Sequence, residues 1–221
     1  MLHNTFCRRL AALVLTLAVA VSAVLPVFAV YPMPIQTATE TEAVYLFNAD
    51  TGKTLLTQNA DQPRYVASLT KMMTALLLLE SGKDLNGEVT VPTDLTQEFK
   101  DIQNANGTTM GLRIGETVRR IDLLNALLIT SANDAASVIA WDVGGSLNAF
   151  IQQMNARAAE LGCTSATFTC AHGLYDYGNV ASAEDMAKIA AACAANETFA
   201  QVAGSTTYTP VSYTHLRAHE T

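Results

Sequence analysis

Basic residues are scarce in this chain of 221 residues: 13 Lys and Arg stand against 20 Asp and Glu, a formal net charge of −7. No basic run interleaved with aromatics occurs, and phosphate binding needs a basic face, so nucleic acid is excluded as a main partner. Charge of either sign is thin. Charged residues make up 15% of the chain and apolar ones 50%, which argues against a disordered or solvating polymer. Twelve Gly and six Pro are too few for a collagen-like or low-complexity class. No internal repeat of about 20–50 residues is visible, and the length suits one domain with a sizeable core.

Cysteine is nearly lacking as well. Cys7 lies in the first segment, leaving Cys163, Cys170 and Cys193 beyond it. An odd number forms no closed disulfide framework, so a Cys163–Cys170 bridge and a set of small buried thiols both stay open. No Cys is spaced with a His as in a zinc site, and no metal or other cofactor is expected. His215 and His219 are followed by Glu220 rather than separated by an acid, which is not a zinc-protease helix.

The long apolar run sits at the start. Arg8 and Arg9 are the last charges before Glu40, and Leu10–Leu25 is Leu, Ala and Val apart from Thr16 and Ser22. A basic start, a short apolar stretch and the small-residue end Val27-Phe28-Ala29 predict a secretory signal over residues 1–29. Pro26 interrupts the run before it reaches the about 20 residues a spanning helix needs. The expected protein is therefore exported, and its mature part more acidic than the whole.

Residues 30–40 read as an extended, Pro-containing lead-in. Glu42–Phe47 and Lys53–Gln58 flank Asn48-Ala-Asp-Thr-Gly52 and predict a hairpin. Helical patterning then takes over. Leu69–Leu79 is apolar nearly all round and stops at Ser81-Gly82; Ile121, Leu124 and Leu128 share a face that ends near Thr130. Asp134–Val143 stops at Gly144-Gly145, Leu147–Leu161 is framed by Ser146 and Gly162, and Ser182-Ala-Glu-Asp185 opens a last helix to about Ala195 in capping-box style. A hairpin followed by helices gives an α+β class, with the hairpin in need of further strands that do not emerge by residue 211.

Two short motifs carry chemistry. In Ser68-Leu-Thr-Lys71 the bland role for Ser68 is an N-cap. A cap prefers an acid three residues on, whereas Lys71 puts a cation in the first turn, opposed by the helix dipole and set on a helix without a polar face. A catalytic pair produces both misfits. Positions i and i+3 share a face, and burial plus the positive helix end lower the Lys71 pKa, giving an amine able to take the Ser68 proton. In Ser131-Ala-Asn133, all three polar residues through Asp134 are good caps. The functional alternative sets the Ser131 hydroxyl and Asn133 amide in a cleft, relaying a proton and holding a substrate amide.

Together the two motifs resemble the Ser-x-x-Lys and Ser-x-Asn blocks of penicillin-binding proteins and class A β-lactamases. With Ala67-Ser-Leu-Thr-Lys-Met-Met-Thr74, Met110-Gly-Leu-Arg-Ile-Gly-Glu116, Ser131-Ala-Asn-Asp-Ala135, and His172-Gly-Leu174 followed by Ala183-Glu-Asp-Met-Ala187, the chain resembles the D-alanyl-D-alanine carboxypeptidases of peptidase family S11 over about residues 41–210. That resemblance implies a serine β-lactamase/D,D-peptidase-like fold, an antiparallel sheet with a helical cluster. It implies Ser68 as nucleophile, Lys71 as general base, Ser131 as second catalytic hydroxyl and Asn133 as a substrate-binding residue. The implied reaction removes the terminal D-Ala from peptidoglycan stem peptides at the outer face of the cytoplasmic membrane. β-Lactams are the implied covalent inhibitors, and no metal takes part. A class A β-lactamase needs a Glu-bearing loop about 35 residues past Ser-x-Asn, and Cys163–Gly173 contains no acid. An inactive, wall-binding homologue is the other alternative.

Two departures accompany the resemblance. Cys170-Ala171 stands before His172-Gly173 where the family has Asn-Pro, with a structural effect expected, and His172 is expected to be structural. No Lys-Thr-Gly occurs, nor do the family's later strands, C-terminal β-domain and membrane anchor. The last residues, Ser212–Thr221, fit nothing before them and read as an artefactual tail on a truncated, poorly active domain.

Overall fold

The computed structural model describes residues 40–174 and 176–210. The expected signal, most of the lead-in, and the tail with His215 and His219 lie outside them.

Chain order runs β1 (Val44–Phe47), β2 (Thr54–Gln58), β3 (Arg64–Tyr65), a 3₁₀ turn (Ala67–Leu69) and α1 (Thr70–Glu80). After these come β4 (Glu88–Thr90), a 3₁₀ turn (Thr93–Leu95), α2 (Thr96–Asn104), β5 (Thr117–Arg119), α3 (Arg120–Ile129) and α4 (Asn133–Gly144). The described chain closes with α5 (Leu147–Glu160), β6 (Val180–Ala181), α6 (Ala183–Ala194) and α7 (Glu197–Ala203). The α+β class holds. Among the described residues the strands form three separate antiparallel pairs, β1–β2, β3–β6 and β4–β5, rather than one sheet.

The β1–β2 hairpin is where alternation places it, pairing Val44 with Gln58 and Phe47 with Thr54 and bulging between Leu46 and Phe47. It leans on α6, which supplies the apolar face that a lone hairpin lacks. α1 is apolar all round because it is surrounded: it packs against α3, α4, α5, α6 and α7. Met73, Ala75, Leu76 and Leu78 are buried along it, and the α4 run Ala135–Ala140 is buried beside it. A helix at the centre of a bundle has no face for water.

Caps frame the outer helices. Ser146 and Ser182 accept N–H bonds from Ala149 and Asp185 at 3.2 and 3.1 Å. At α6 the box is only half formed, because the Asp185 carboxylate turns to the Thr164 and Ser165 N–H groups and the Ser165 hydroxyl. Two helices carry too weak a stripe to be foreseen: α2 buries only Ile102, and α7 only Phe199 and Val202. Cys163, Cys170 and Cys193 are free thiols, so the possible Cys163–Cys170 bridge is not formed.

Candidate active site

Ser68 sits in the 3₁₀ turn that leads into α1, and Lys71 is in the first turn of the helix. Neither motif caps a helix: α1 and α4 both begin without a side-chain cap. Backbone strain brackets the pair instead. Ala67 has φ +45° and Ser131 φ +58°, left-handed values that cost non-glycine residues energy and concentrate at functional sites.

The 3₁₀ turn is held from behind by Gly173. This residue has φ +80°, and a Cβ there would overlap the Ala67 carbonyl, so only glycine allows the approach. Alongside, Thr74 Oγ1 donates to Ala171 O at 2.6 Å and Asn179 Nδ2 donates to Thr70 Oγ1 at 2.8 Å. Ala171 and Asn179 are thereby bonded to α1 near the site.

Lys71 is 3% exposed. Its Nζ donates to Ser68 Oγ at 3.3 Å, Asn133 Oδ1 at 2.8 Å and His172 O at 2.6 Å. The arrangement discriminates between protonation states. Asn133 Oδ1 and His172 O can only accept; Ser68 Oγ can also donate. A neutral amine therefore spends its two hydrogens on the carbonyls and turns its lone pair to the Ser68 hydroxyl. Burial lowers the Lys71 pKa to about 8, against a smaller opposing effect of Cys170, and no carboxylate pairs with Lys71 among the described residues to hold it charged.

Ser131 precedes α4 and donates from Oγ to Ser68 Oγ at 3.1 Å. Ser131, Ser68 and Lys71 share an open cavity of about 360 Å³ with Leu127 and Leu128. Asn133 does not line it. Buried beneath, its Nδ2 donates to Thr108 O at 2.9 Å while Oδ1 receives Lys71. Residue type could foretell a Lys71 partner in Asn133, but not in His172, because the accepting atom is a backbone carbonyl common to every residue.

Two further carboxylates shape the site: Asp134, next to Asn133 in the second motif, and Glu98, which belongs to none. Asp134 is buried and accepts the N–H groups of Met110, Gly111 and Leu112, each at 3.0 Å. It fixes the 108–112 segment that in turn holds Asn133. Glu98 on α2 accepts from Ser137 Oγ at 2.9 Å and bonds His172 Nε2 at 3.0 Å. The His172 bond is the main cause holding Glu98 below its ordinary carboxylate value. Burial lowers His172, while Cys170 and Glu98 outweigh that and raise it to about 9. The Leu174 N–H directed at Nδ1 at 3.0 Å works against the rise, since an amide hydrogen repels a protonated ring nitrogen. In either state Nε2 carries the hydrogen given to Glu98.

Residues 31–214 match the family model of peptidase S11, D-alanyl-D-alanine carboxypeptidase. The chain is 33% identical over 153 residues to D-alanyl-D-alanine carboxypeptidase DacF of Bacillus subtilis, covering 69% of this chain and 39% of that protein. To a D-alanyl-D-alanine endopeptidase of Pseudomonas aeruginosa it is 32% identical over 175 residues, covering 79% and 54%. The crystal structure of the Streptomyces K15 DD-transpeptidase superposes with a TM-score of 0.66 at 32% identity, over 72% of this chain and 63% of that one. The chain thus spans roughly two fifths to just over half of the length of these two curated relatives. Its sequence match and its fold place it in the D-alanyl-D-alanine carboxypeptidase family, peptidase S11.

Proposed function

We propose that the protein is a serine-type D-Ala-D-Ala carboxypeptidase that removes the terminal D-Ala of peptidoglycan stem peptides through an acyl-enzyme on Ser68. The observation that supports it best is the Lys71 amine, buried between two accept-only carbonyls with Ser68 Oγ as its remaining partner. In the proposed first step, neutral Lys71 takes the Ser68 proton as Oγ bonds to the carbonyl carbon of the penultimate D-Ala. The peptide C–N bond breaks, and the leaving amine receives its proton from Lys71 through the Ser131 hydroxyl. Water then adds to the ester, and reversed proton transfer frees Ser68. Asn133 holds Lys71 from below. β-Lactams would acylate the same Oγ.

Residues 41–211 are proposed to belong to the D,D-peptidase domain and residues 1–29 to an export signal, placing the reaction outside the cytoplasmic membrane. Endopeptidase cleavage is the second reading, favoured by the Pseudomonas relative. Incubation with a Lys-D-Ala-D-Ala tripeptide and with a cross-linked dipeptide bridge decides. Release of D-Ala supports the carboxypeptidase, and cleavage of the bridge alone supports the endopeptidase. Binding of peptidoglycan without cleavage of either supports an inactive, wall-binding homologue.

A further inference from the structure

Asn179 is buried just before β6, and the steps proposed for Ser68 and Lys71 make no use of it. Its backbone is anchored: the next residue, Val180, pairs with Tyr65 of β3 and exchanges N–H···O bonds with Thr167 at 2.8 and 2.9 Å. β3 runs into the 3₁₀ turn that carries Ser68. From this fixed point the side-chain amide reaches two segments. Its Oδ1 accepts the Thr169 N–H at 3.2 Å, and its Nδ2 donates to Thr70 Oγ1 at 2.8 Å. We propose that Asn179 is a positioning residue for the acylation of Ser68, its amide holding the 169–172 segment at a set distance from the first turn of α1 so that the His172 carbonyl meets the Lys71 amine. This role rests on the reading of Lys71 as the base.

Both bonds land next to the reacting groups. Thr70 immediately precedes Lys71, and Thr169 lies three residues before His172, whose carbonyl takes a Lys71 hydrogen at 2.6 Å. The orientation of the amide is forced. A backbone N–H can only donate, so Oδ1 faces Thr169 and Nδ2 is left for the Thr70 hydroxyl. Thr70 is 0% and Asn179 2% exposed, so no water takes over either bond. Thr74 Oγ1 pins the same segment one turn further along α1, at Ala171 O; Asn179 pins its start.

Removing the amide strands the Thr169 N–H and the Thr70 hydroxyl and frees the 169–172 segment to draw back from Lys71. A neutral amine needs the His172 carbonyl to occupy one of its hydrogens, or its lone pair no longer points at Ser68. Proton transfer then slows while penicillin binding, which does not involve this contact, stays the same. The titration of Lys71 changes too. Burial is the main cause of its low value, and Cys170, on the same segment, opposes it. When the segment opens, admitted water outweighs the retreat of the thiol, and Lys71 moves up toward an ordinary lysine. The His172 ring stays paired with Glu98 of α2.

The test is stopped-flow acylation by benzylpenicillin, followed against pH, in the parent chain and in variants whose melting scans show them folded. Asn179→Ala should lower the limiting first-order acylation rate by about 10- to 100-fold, leave the dissociation constant of the preceding non-covalent complex unchanged, and move the pH midpoint upward. Thr70→Val keeps the shape and removes the acceptor, so it should do the same, and it carries the test if Asn179→Ala fails to fold. Thr70→Ser, which retains the hydroxyl, should stay near the parent rate. The double variant Asn179→Ala/Thr70→Val should be no slower than the slower single one, because both cut the same bridge. A parent chain that does not acylate would overturn the proposed function and this role with it. A parent that acylates, with Thr70→Val matching it in rate and midpoint or with the two losses multiplying in the double variant, would overturn the role of Asn179 alone.

Discussion

Lys71 Nζ lies 2.6 Å from the backbone carbonyl oxygen of His172, a residue 101 positions later in the chain. With the Asn133 contact at 2.8 Å it occupies two hydrogens of the amine. It sets the direction of the amine lone pair, and with it the proposed course of the first proton transfer.

The first expectation concerns pH. With Lys71 lowered to about 8 by burial, the amine is protonated below that value and has no lone pair for Ser68. Acylation by a penicillin should rise about tenfold per pH unit up to about 8 and then level off. Lys71→Arg keeps a cation that does not lose its proton, and acylation should fall by roughly 100-fold or more at every pH. Stopped-flow acylation rates check both. A flat profile through roughly pH 6–9 would remove Lys71 from the base role.

Gly173 should tolerate no side chain. Its φ of +80° and the overlap of an added Cβ with the Ala67 carbonyl predict that Gly173→Ala destabilises the fold by about 2–4 kcal/mol. A melting scan detects this, and an unchanged melting temperature would show that the 3₁₀ turn can move aside.

Much of this organisation is visible in the residues alone. Ser68 and Lys71 stand out because a cation in the first turn of an all-apolar helix violates two local preferences at once. The β1–β2 hairpin and helices α1, α3, α4, α5 and α6 follow from period and caps. The pairings β3–β6 and β4–β5 do not, because strands of two and three residues are too short to show alternation. Nor do the contacts of His172 O, Glu98 and Asp134, since each joins segments far apart in sequence. Asp134 illustrates the difficulty: beside Asn133 it resembles a cap, yet its carboxylate serves the 110–112 backbone.

That role leads to a third expectation. Asp134→Ala strands three N–H groups at Met110, Gly111 and Leu112 and should cost about 3 kcal/mol, while also loosening the segment that holds Asn133. Hydrogen exchange should show the amides of these three residues losing protection first. Retained protection would mean that another group takes over the carboxylate's place.

Glu98 gives a fourth. Its Oε1 joins α2 to both Ser137 and His172, so Glu98→Ala should disturb the His172 carbonyl and shift the pH midpoint of acylation. Glu98→Gln, which still accepts a hydrogen bond, should restore part of the rate. Identical profiles for both variants and the parent would leave Glu98 without influence on Lys71.

The most direct measurement is to treat the protein with benzylpenicillin, digest it, and locate the adduct by mass spectrometry. The account predicts one penicilloyl group, on Ser68, absent from a Ser68→Ala variant whose melting temperature is nearly unchanged because residue 68 is exposed. An adduct on any other residue, or one that persists in Ser68→Ala, would contradict it.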